Sequence, residues 1–306
     1  MPEGDTVWRT AHRLDQALAG REVVESDLRW PTLATADLRG RRTLEVVSRG
    51  KHILHRLEGG LTLHSHLRME GQWRIEPTPR LKPGWRRSPH LRALLATADW
   101  TALGLRLGML DLVETSREAD LVGHLGPDLL GDDWHPDRAV DHLAACAVPI
   151  GEALLDQRNL AGLGTLWTAE TLFALRLHLW ADASTLGRPA LEEVVDRAHR
   201  LIDAGRRDAV QSTTGSLAKG ETTYVHGRSG RPCRRCGTTV RVALIGPATR
   251  ERTMFYCPSC QGGLGPTDDG RLQAPLGSET SRETGRGDDR GDGRGRRGRG
   301  EAARQR

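Results

Sequence analysis

The chain lacks any apolar run approaching the roughly 18–20 residues that a membrane-spanning helix needs. Its opening, Met1 to Thr10, is polar and carries Glu3 and Asp5. It lacks the apolar core of a secretory signal, so a cytoplasmic protein is expected. Lysine is almost missing. Lys51, Lys82 and Lys219 stand against 42 Arg, a bias that GC-rich coding often produces, so a surviving Lys is more informative than an Arg. Cysteine is scarce too, and five in 306 residues exclude a disulfide-stapled miniprotein. The length fits two or three domains of roughly 100–200 residues each. Excess charge is small. Residues 277–306 hold nine Arg and six acids, so this tail carries +3 of the net +5, and charge alone points only weakly to a polyanionic partner.

What is present falls into successive patterns. Val7, Ala11, Leu14 and Leu18 recur at helical spacing over residues 6–19, with Asp5 or Thr6 as cap and Gly20 as stop. Residues 21–30, 43–57, 61–75 and 91–114 have strand character, with Gly59-Gly60 as a hairpin turn. A Gly/Pro/Asp-rich passage over 123–137 reads as a linker. Residues 138–147, 150–158, 166–181 and 191–204 read as helices, the middle two split by the turn Leu160-Ala161-Gly162-Leu163-Gly164. The expected fold is multidomain α+β. A β-sandwich with a leading helix spans 1–125, a helical domain with a helix–turn–helix element 126–220, a four-Cys finger 221–262, and a disordered Gly/Arg/Asp-rich tail 263–306.

Cys233-x2-Cys236 and Cys257-x2-Cys260 have the spacing of a four-Cys zinc site, with room between the pairs for a β-hairpin. Two disulfides or redox pairs are the alternatives; the missing secretory signal favours one structural Zn2+, its coordination closed by four thiolates. Arg231, Arg234, Arg235, Arg241, Arg250 and Arg252 give this hairpin either a phosphate-facing or a merely solvated surface. Cys146 reads as a small buried hydrophobe within an apolar helix.

Met1-Pro2-Glu3-Gly4 permits two readings. Pro and an acid are ordinary ahead of a helix. Alternatively, removal of the initiator Met exposes the secondary amine of Pro2. An α-amine with a pKa of about 8 is free base roughly a few hundred times more often at neutral pH than a lysine at about 10.4. Such an amine can attack a sugar C1′ and form an iminium that acidifies the C2′ proton, with Glu3 beside it as acid or base.

Several motifs now fall in order across residues 1–261. They are MPEGDT, Ser48-Arg49-Gly50-Lys51 on a strand, His64-Ser65-His66, and His124-Leu125-Gly126-Pro127-Asp128. Leu155-Asp156-Gln157 follows with Ala161-Gly162-Leu163-Gly164, then Tyr224-Val225-His226-Gly227-Arg228 leading to Cys233, and Arg252. In this series the chain resembles the formamidopyrimidine-DNA glycosylase/endonuclease VIII family. The PEGD start is closer to the endonuclease VIII branch, particularly its actinobacterial members.

The resemblance implies a monomeric DNA glycosylase with AP-lyase activity, associated with the nucleoid. Its partner would be double-stranded damaged DNA and its substrates oxidised bases, pyrimidines before purines. Pro2 would be the nucleophile, Glu3 the acid that opens the deoxyribose, Lys51 a group near sugar and phosphate that assists β-elimination, and Arg252 the phosphate grip linked to δ-elimination. A base inside a duplex must be flipped out and the gap filled. Met69 is the expected wedge, Arg68 faces the orphan base, and Arg106 belongs to a second intercalating loop. His66 and His124 would contact phosphate or backbone. Two positions depart from the family pattern: Thr165 stands where relatives carry Asn, and His226 where Tyr is common. Thr165 still offers a hydroxyl and a helix N-terminus to phosphate, but its loss of the amide leaves a noncatalytic damaged-DNA binder as the alternative.

Overall fold

A computed structural model describes residues 2–275. Helix α1 (Gly4–Leu18) buries Val7, Ala11, Leu14 and Leu18 on one face. It begins earlier than the expected cap, because Glu3 takes the N-cap position and Asp5 lies buried in the first turn. Gly20, at φ +75°, reverses the chain in a conformation costly for other residues.

Each long β segment is cut by turns into shorter antiparallel strands. One sheet has the order β1 (Glu25–Leu28), β6 (Leu91–Ala96), β7 (Trp100–Leu105), β5 (Gln72–Pro77). The other runs β2 (Thr43–Arg49), β3 (His52–Leu57), β4 (Leu61–His66), β8 (Met109–Glu114). Lys51, expected on a strand, instead occupies the β2–β3 turn. Val46, Ile53 and Leu63 meet Ala93, Leu95 and Ala102 between the sheets, and α1 closes the same core with Val7, Leu14 and Leu18. Each fully buried Leu or Ile there contributes about 1.5–3 kcal/mol.

Helix α2 (Ala119–Val122) leads into the stretch read as a linker, which is pinned at Asp128. Buried Asp128 accepts from Gly50 N at 2.7 Å and Leu130 N at 3.1 Å, and pairs by a β-bridge with Ala161. The helical domain comprises α3 (Pro136–Ala144), α4 (Ile150–Leu155), α5 (Thr165–Ala174) and α6 (Arg188–Gly205). Helix α5 stops well short of residue 181, and Arg176 then turns the chain at φ +58°. Cys146 lies past the end of α3, half-buried, its thiol 3.2 Å from His142 O. The expectation of a small buried hydrophobe inside a helix is therefore corrected.

The finger hairpin is β9 (Arg241–Ile245) paired with β10 (Arg252–Tyr256). Its Val240, Met254, Tyr256 and Cys257 share one core with Trp167, Phe173 and Leu191 of the helical domain. Residues 263–275, assigned to the tail by composition, pack on this finger. Asp268 accepts from Arg241 Nε and from Tyr256 OH, each at 2.5 Å, and Gln273 bonds both Val242 N and O. A count of apolar residues misses this segment because a buried, charge-assisted pair holds it. The rest of the expected tail lies outside the described residues.

Candidate active site

The N-terminal strand of chain and the start of α5 are built against each other. Gly4 N donates to Gly162 O at 2.9 Å. The carboxylate of Glu3, 1% exposed, accepts from Gly164 N at 2.7 Å, Leu166 N at 2.8 Å and Trp167 N at 3.3 Å. These are orphan donors of a helix N-terminus, where a negative charge is favoured. Burial pushes the Glu3 carboxyl above its ordinary range, opposed by the Lys51 charge and the backbone donors. Asp5, one turn on, accepts from Trp167 Nε1 at 3.0 Å and Gln211 Nε2 at 2.8 Å, tying α1 to the helical domain.

In front of this contact lies a cavity of about 270 Å3. Pro2, Lys51, His66, Thr165, Arg252 and, from the β4–β5 loop, Arg68 and Met69 all line it. Glu3 does not; it stands behind Pro2 and Gly164. Lys51 donates to Leu163 O, and burial, with Arg252 adding to it, lowers its proton affinity against the pull of Glu3. Thr165 opens α5, so the departure from Asn falls on the cavity wall at the helix N-terminus.

Two loops form the rim. Met69 is 65% exposed, an unusual outlay for an apolar side chain. Arg68 and Arg106 both take left-handed backbone, at φ +54° and +49°, a strain of roughly 1–3 kcal/mol each that clusters at functional loops. The loops are tied together: Arg106 pairs with Glu70 at 3.2 Å, and Arg68 packs over Gly108, where a Cβ would meet its Cγ at 2.1 Å. Arg68 thus reaches Met109 Sδ rather than the cavity centre. His124 lines a second cavity, of about 460 Å3, that shares Gln157 and Arg252 with the first.

Sequence reasoning quoted Asp128 and Gln157 only as motif members. Gln157 Oε1 accepts from Gly162 N, and its Nε2 donates to Leu155 O and Leu163 O, so it shapes the loop that holds Glu3 and Lys51. Glu170 gave no signal. Buried in α5, its carboxylate accepts from Tyr224, Val225 and His226 N and from Thr213 Oγ1, fastening the approach to the finger.

The Sγ atoms of the four cysteines of the two knuckles all lie within 4.8 Å of one another. Cys233–Cys260 and Cys236–Cys257 Sγ separations are 4.0 and 3.4 Å. Four thiolates at about 2.3 Å from one tetrahedral ion would stand roughly 3.8 Å apart, so the cluster fits a bound metal. Of the finger arginines, Arg241 is not phosphate-facing but buried on Asp268. Arg234 and Arg235 bond backbone carbonyls, whereas Arg250 and Arg252 face the cavities.

With this geometry in place, comparison with known proteins assigns the class. The formamidopyrimidine-DNA glycosylase N-terminal domain matches residues 1–109 and its H2TH domain residues 125–216. The chain belongs to the formamidopyrimidine-DNA glycosylase/endonuclease VIII family of DNA repair enzymes. It is 49% identical over 276 residues to the probable endonuclease 8 2 of Streptomyces coelicolor, covering 89% of this chain and 98% of that protein. It is 43% identical to the DNA-(apurinic or apyrimidinic site) lyase Nei2 of Mycolicibacterium smegmatis, covering 85% and 99%. The fold also matches that of the Lactococcus lactis Fpg in complex with DNA containing an abasic site, at a TM-score of 0.70 and 21% identity over 85% and 99% of the two chains.

Proposed function

We propose that this chain is a bifunctional DNA glycosylase/AP lyase acting as a monomer on oxidised pyrimidines in duplex DNA, in the cytoplasm at the nucleoid. The observation that carries the reading is the convergence of Pro2, Lys51, Thr165 and Arg252 on one cavity rimmed by exposed Met69.

Once Met1 is removed, the Pro2 nitrogen lone pair attacks C1′ and the glycosidic bond to the damaged base breaks, the proton of the Pro2 N–H passing to the departing base. The C1′–O4′ bond then opens to an iminium, the ring oxygen taking a proton from Glu3. The C2′ proton, acidified by the iminium, passes to water; the resulting enamine pushes its electrons into a C2′=C3′ bond as the C3′–O bond breaks and the 3′ phosphate leaves. Burial raises the proton affinity of Glu3 and lowers that of Lys51, so a proton is held at the carboxyl to higher pH than on a free glutamate. Lys51 and Arg252 supply charge to the sugar-phosphate, while His66, His124 and Thr165 take neighbouring phosphates. Met69 fills the gap left by the flipped nucleotide, with Arg68 toward the orphan base and Arg106 bracing the second loop. Zn2+ is the metal that suits four thiolates, and Cys233, Cys236, Cys257 and Cys260 would hold it to keep the β9–β10 hairpin, and so Arg252, in place.

Borohydride trapping on an abasic-site duplex, with peptide mapping of the adduct, tests the mechanism. An adduct on Pro2, abolished by an uncleaved N-terminal tag, is expected; undiminished trapping with the tag removes Pro2 from the chemistry. DNA binding without any adduct on a correctly processed N-terminus would favour the noncatalytic binder that Thr165 suggests. Single-turnover rates on 5-hydroxyuracil and 8-oxoguanine duplexes separate pyrimidine from purine preference.

A further inference from the structure

Behind His66, a carboxylate and two imidazoles stand in line. Asp111 Oδ2, on β8, is 2.9 Å from His64 Nδ1 on β4, and His64 Nε2 is 2.8 Å from His52 Nδ1 on β3. His64 is buried, and its ring stacks on that of His52 with centroids 5.0 Å apart. The proton order along this line follows from the partners. An ionised carboxylate only accepts, so His64 carries its proton on Nδ1 and offers a bare Nε2. His52 must then donate from Nδ1 and keep a bare Nε2. Beyond His52 lie the two phosphate-facing histidines, edge-on, His66 at 4.9 Å and His124 at 6.5 Å between ring centroids. His66 has the opposite arrangement: its Nδ1 accepts from Arg68 N at 2.9 Å, which leaves an N–H on Nε2.

The surroundings repel a further proton on the near side. Lys51 from the β2–β3 turn, Arg68 from the β4–β5 loop, His64 and His66 from β4, and His124 beyond α2 face these rings. Burial and these neighbours hold His52 at about 3 and His66 at about 4, so both are neutral in the free protein at physiological pH. Among the described residues, Asp111 is the one acid in hydrogen-bonding contact with the line, at its far, solvent-reaching end. None of Asp111, His64 and His52 lines either cavity, so they act through other residues.

We propose that Asp111, His64 and His52 are positioning residues that couple phosphate binding at His66 and His124 to the uptake of one proton. Phosphate oxygens held by His66 and His124 would place negative charge beside the His52 ring, which stands 4.9 and 6.5 Å from theirs between centroids and keeps a bare Nε2. A proton taken up at that nitrogen turns repulsion into attraction. Transfer of the Nδ1 proton to His64 then places an imidazolium 2.9 Å from the Asp111 carboxylate. The inference rests on the DNA-binding reading above.

The test is the affinity of the full chain for a duplex carrying a stable abasic-site analogue, measured from pH 5.5 to 8.5. Calorimetry in two buffers of different ionisation enthalpy counts the protons. Linkage of one proton weakens binding by up to about tenfold per pH unit as the pH rises. Asp111→Asn, which keeps shape at a half-exposed position, should flatten this to about twofold or less and abolish most of the uptake. His64→Gln should do the same. A purely structural role would instead lower affinity equally at every pH. Affinity independent of pH in the unaltered chain, or a full slope in Asp111→Asn, overturns the array while leaving the DNA-binding reading intact. No binding of the duplex at any pH overturns both.

Discussion

Gly164→Ala isolates the contact on which the site is built. Gly164 has φ −127° and ψ −159°, extended backbone that Ala adopts freely, so the residue is not required for its conformation. What requires it is space. A Cβ there would lie 2.5 Å from Glu3 Cδ and 2.6 Å from Oε1, whereas carbons pack at about 3.5–4.0 Å. The carboxylate must therefore retreat by about 1 Å. Its bonds to Gly164, Leu166 and Trp167 N, now 2.7, 2.8 and 3.3 Å, would stretch beyond useful range. Hydrogen bonds to a charged group are worth about 1.5–3 kcal/mol each. Losing the two short ones, less about 0.4–1 kcal/mol gained by stiffening the unfolded chain, leaves a net cost of about 3 kcal/mol. At roughly 2–4 °C per kcal/mol, melting should fall by about 6–12 °C. Since Pro2 is bonded to Glu3, a shift of this size should also slow single-turnover strand cleavage by about a hundredfold. The decisive comparison is Gly164→Ala in a Glu3→Ala background. With no carboxylate to displace, the substitution should cost close to nothing, a coupling of about 3 kcal/mol in the double-mutant cycle. Additive effects on melting would refute the proposed packing, and so the account of how Pro2 is placed.

Arg252→Ala should leave melting unchanged, since the side chain is exposed, but weaken abasic-duplex binding by about tenfold. The slope of log affinity against log salt should fall by about 0.9, the signature of one lost phosphate contact. Elemental analysis should find about one equivalent of zinc, and Cys257→Ser should lower it and destabilise the helical domain, whose core the finger shares; a variant that melts as the parent does would sever finger from core. Asp268→Asn tests the packing of residues 263–275. The Arg241 guanidinium, with the Tyr256 hydroxyl assisting, holds the Asp268 carboxyl down to about 2 against an ordinary 3.8. A depressed acid stabilises above its unfolded value and loses that contribution as pH falls through the folded one. The variant should therefore be about 2 kcal/mol less stable in urea unfolding at neutral pH, with the deficit shrinking from about pH 4 toward pH 2.

Local chemistry determined much of this protein without reference to its fold. The spacing of Val7, Leu14 and Leu18 makes an amphipathic helix whatever lies nearby, and Gly59-Gly60 makes a hairpin turn because both residues adopt positive φ. Each C-x2-C pair sets two cysteines side by side because a knuckle is a short-range structure, and the hairpin between the pairs brings all four together. The order of motifs sets Pro2, Lys51, Thr165 and Arg252 in one family frame independently of the fold. Only the tertiary structure decided the rest, because it depends on partners distant in sequence. Glu3 meets α5 across some 160 residues, where its charge answers donors that helix geometry leaves unpaired. Glu170 looks like an ordinary surface acid in the sequence and Asp128 figures there only as a motif member, yet both are buried because backbone N–H groups from other segments converge on them. Arg241 belongs to a basic hairpin by composition and to a buried ion pair in the fold, since Asp268 lies beyond the finger. Local pattern sets which elements form; which charges are desolvated, and which partners satisfy them, is a property of the packed chain.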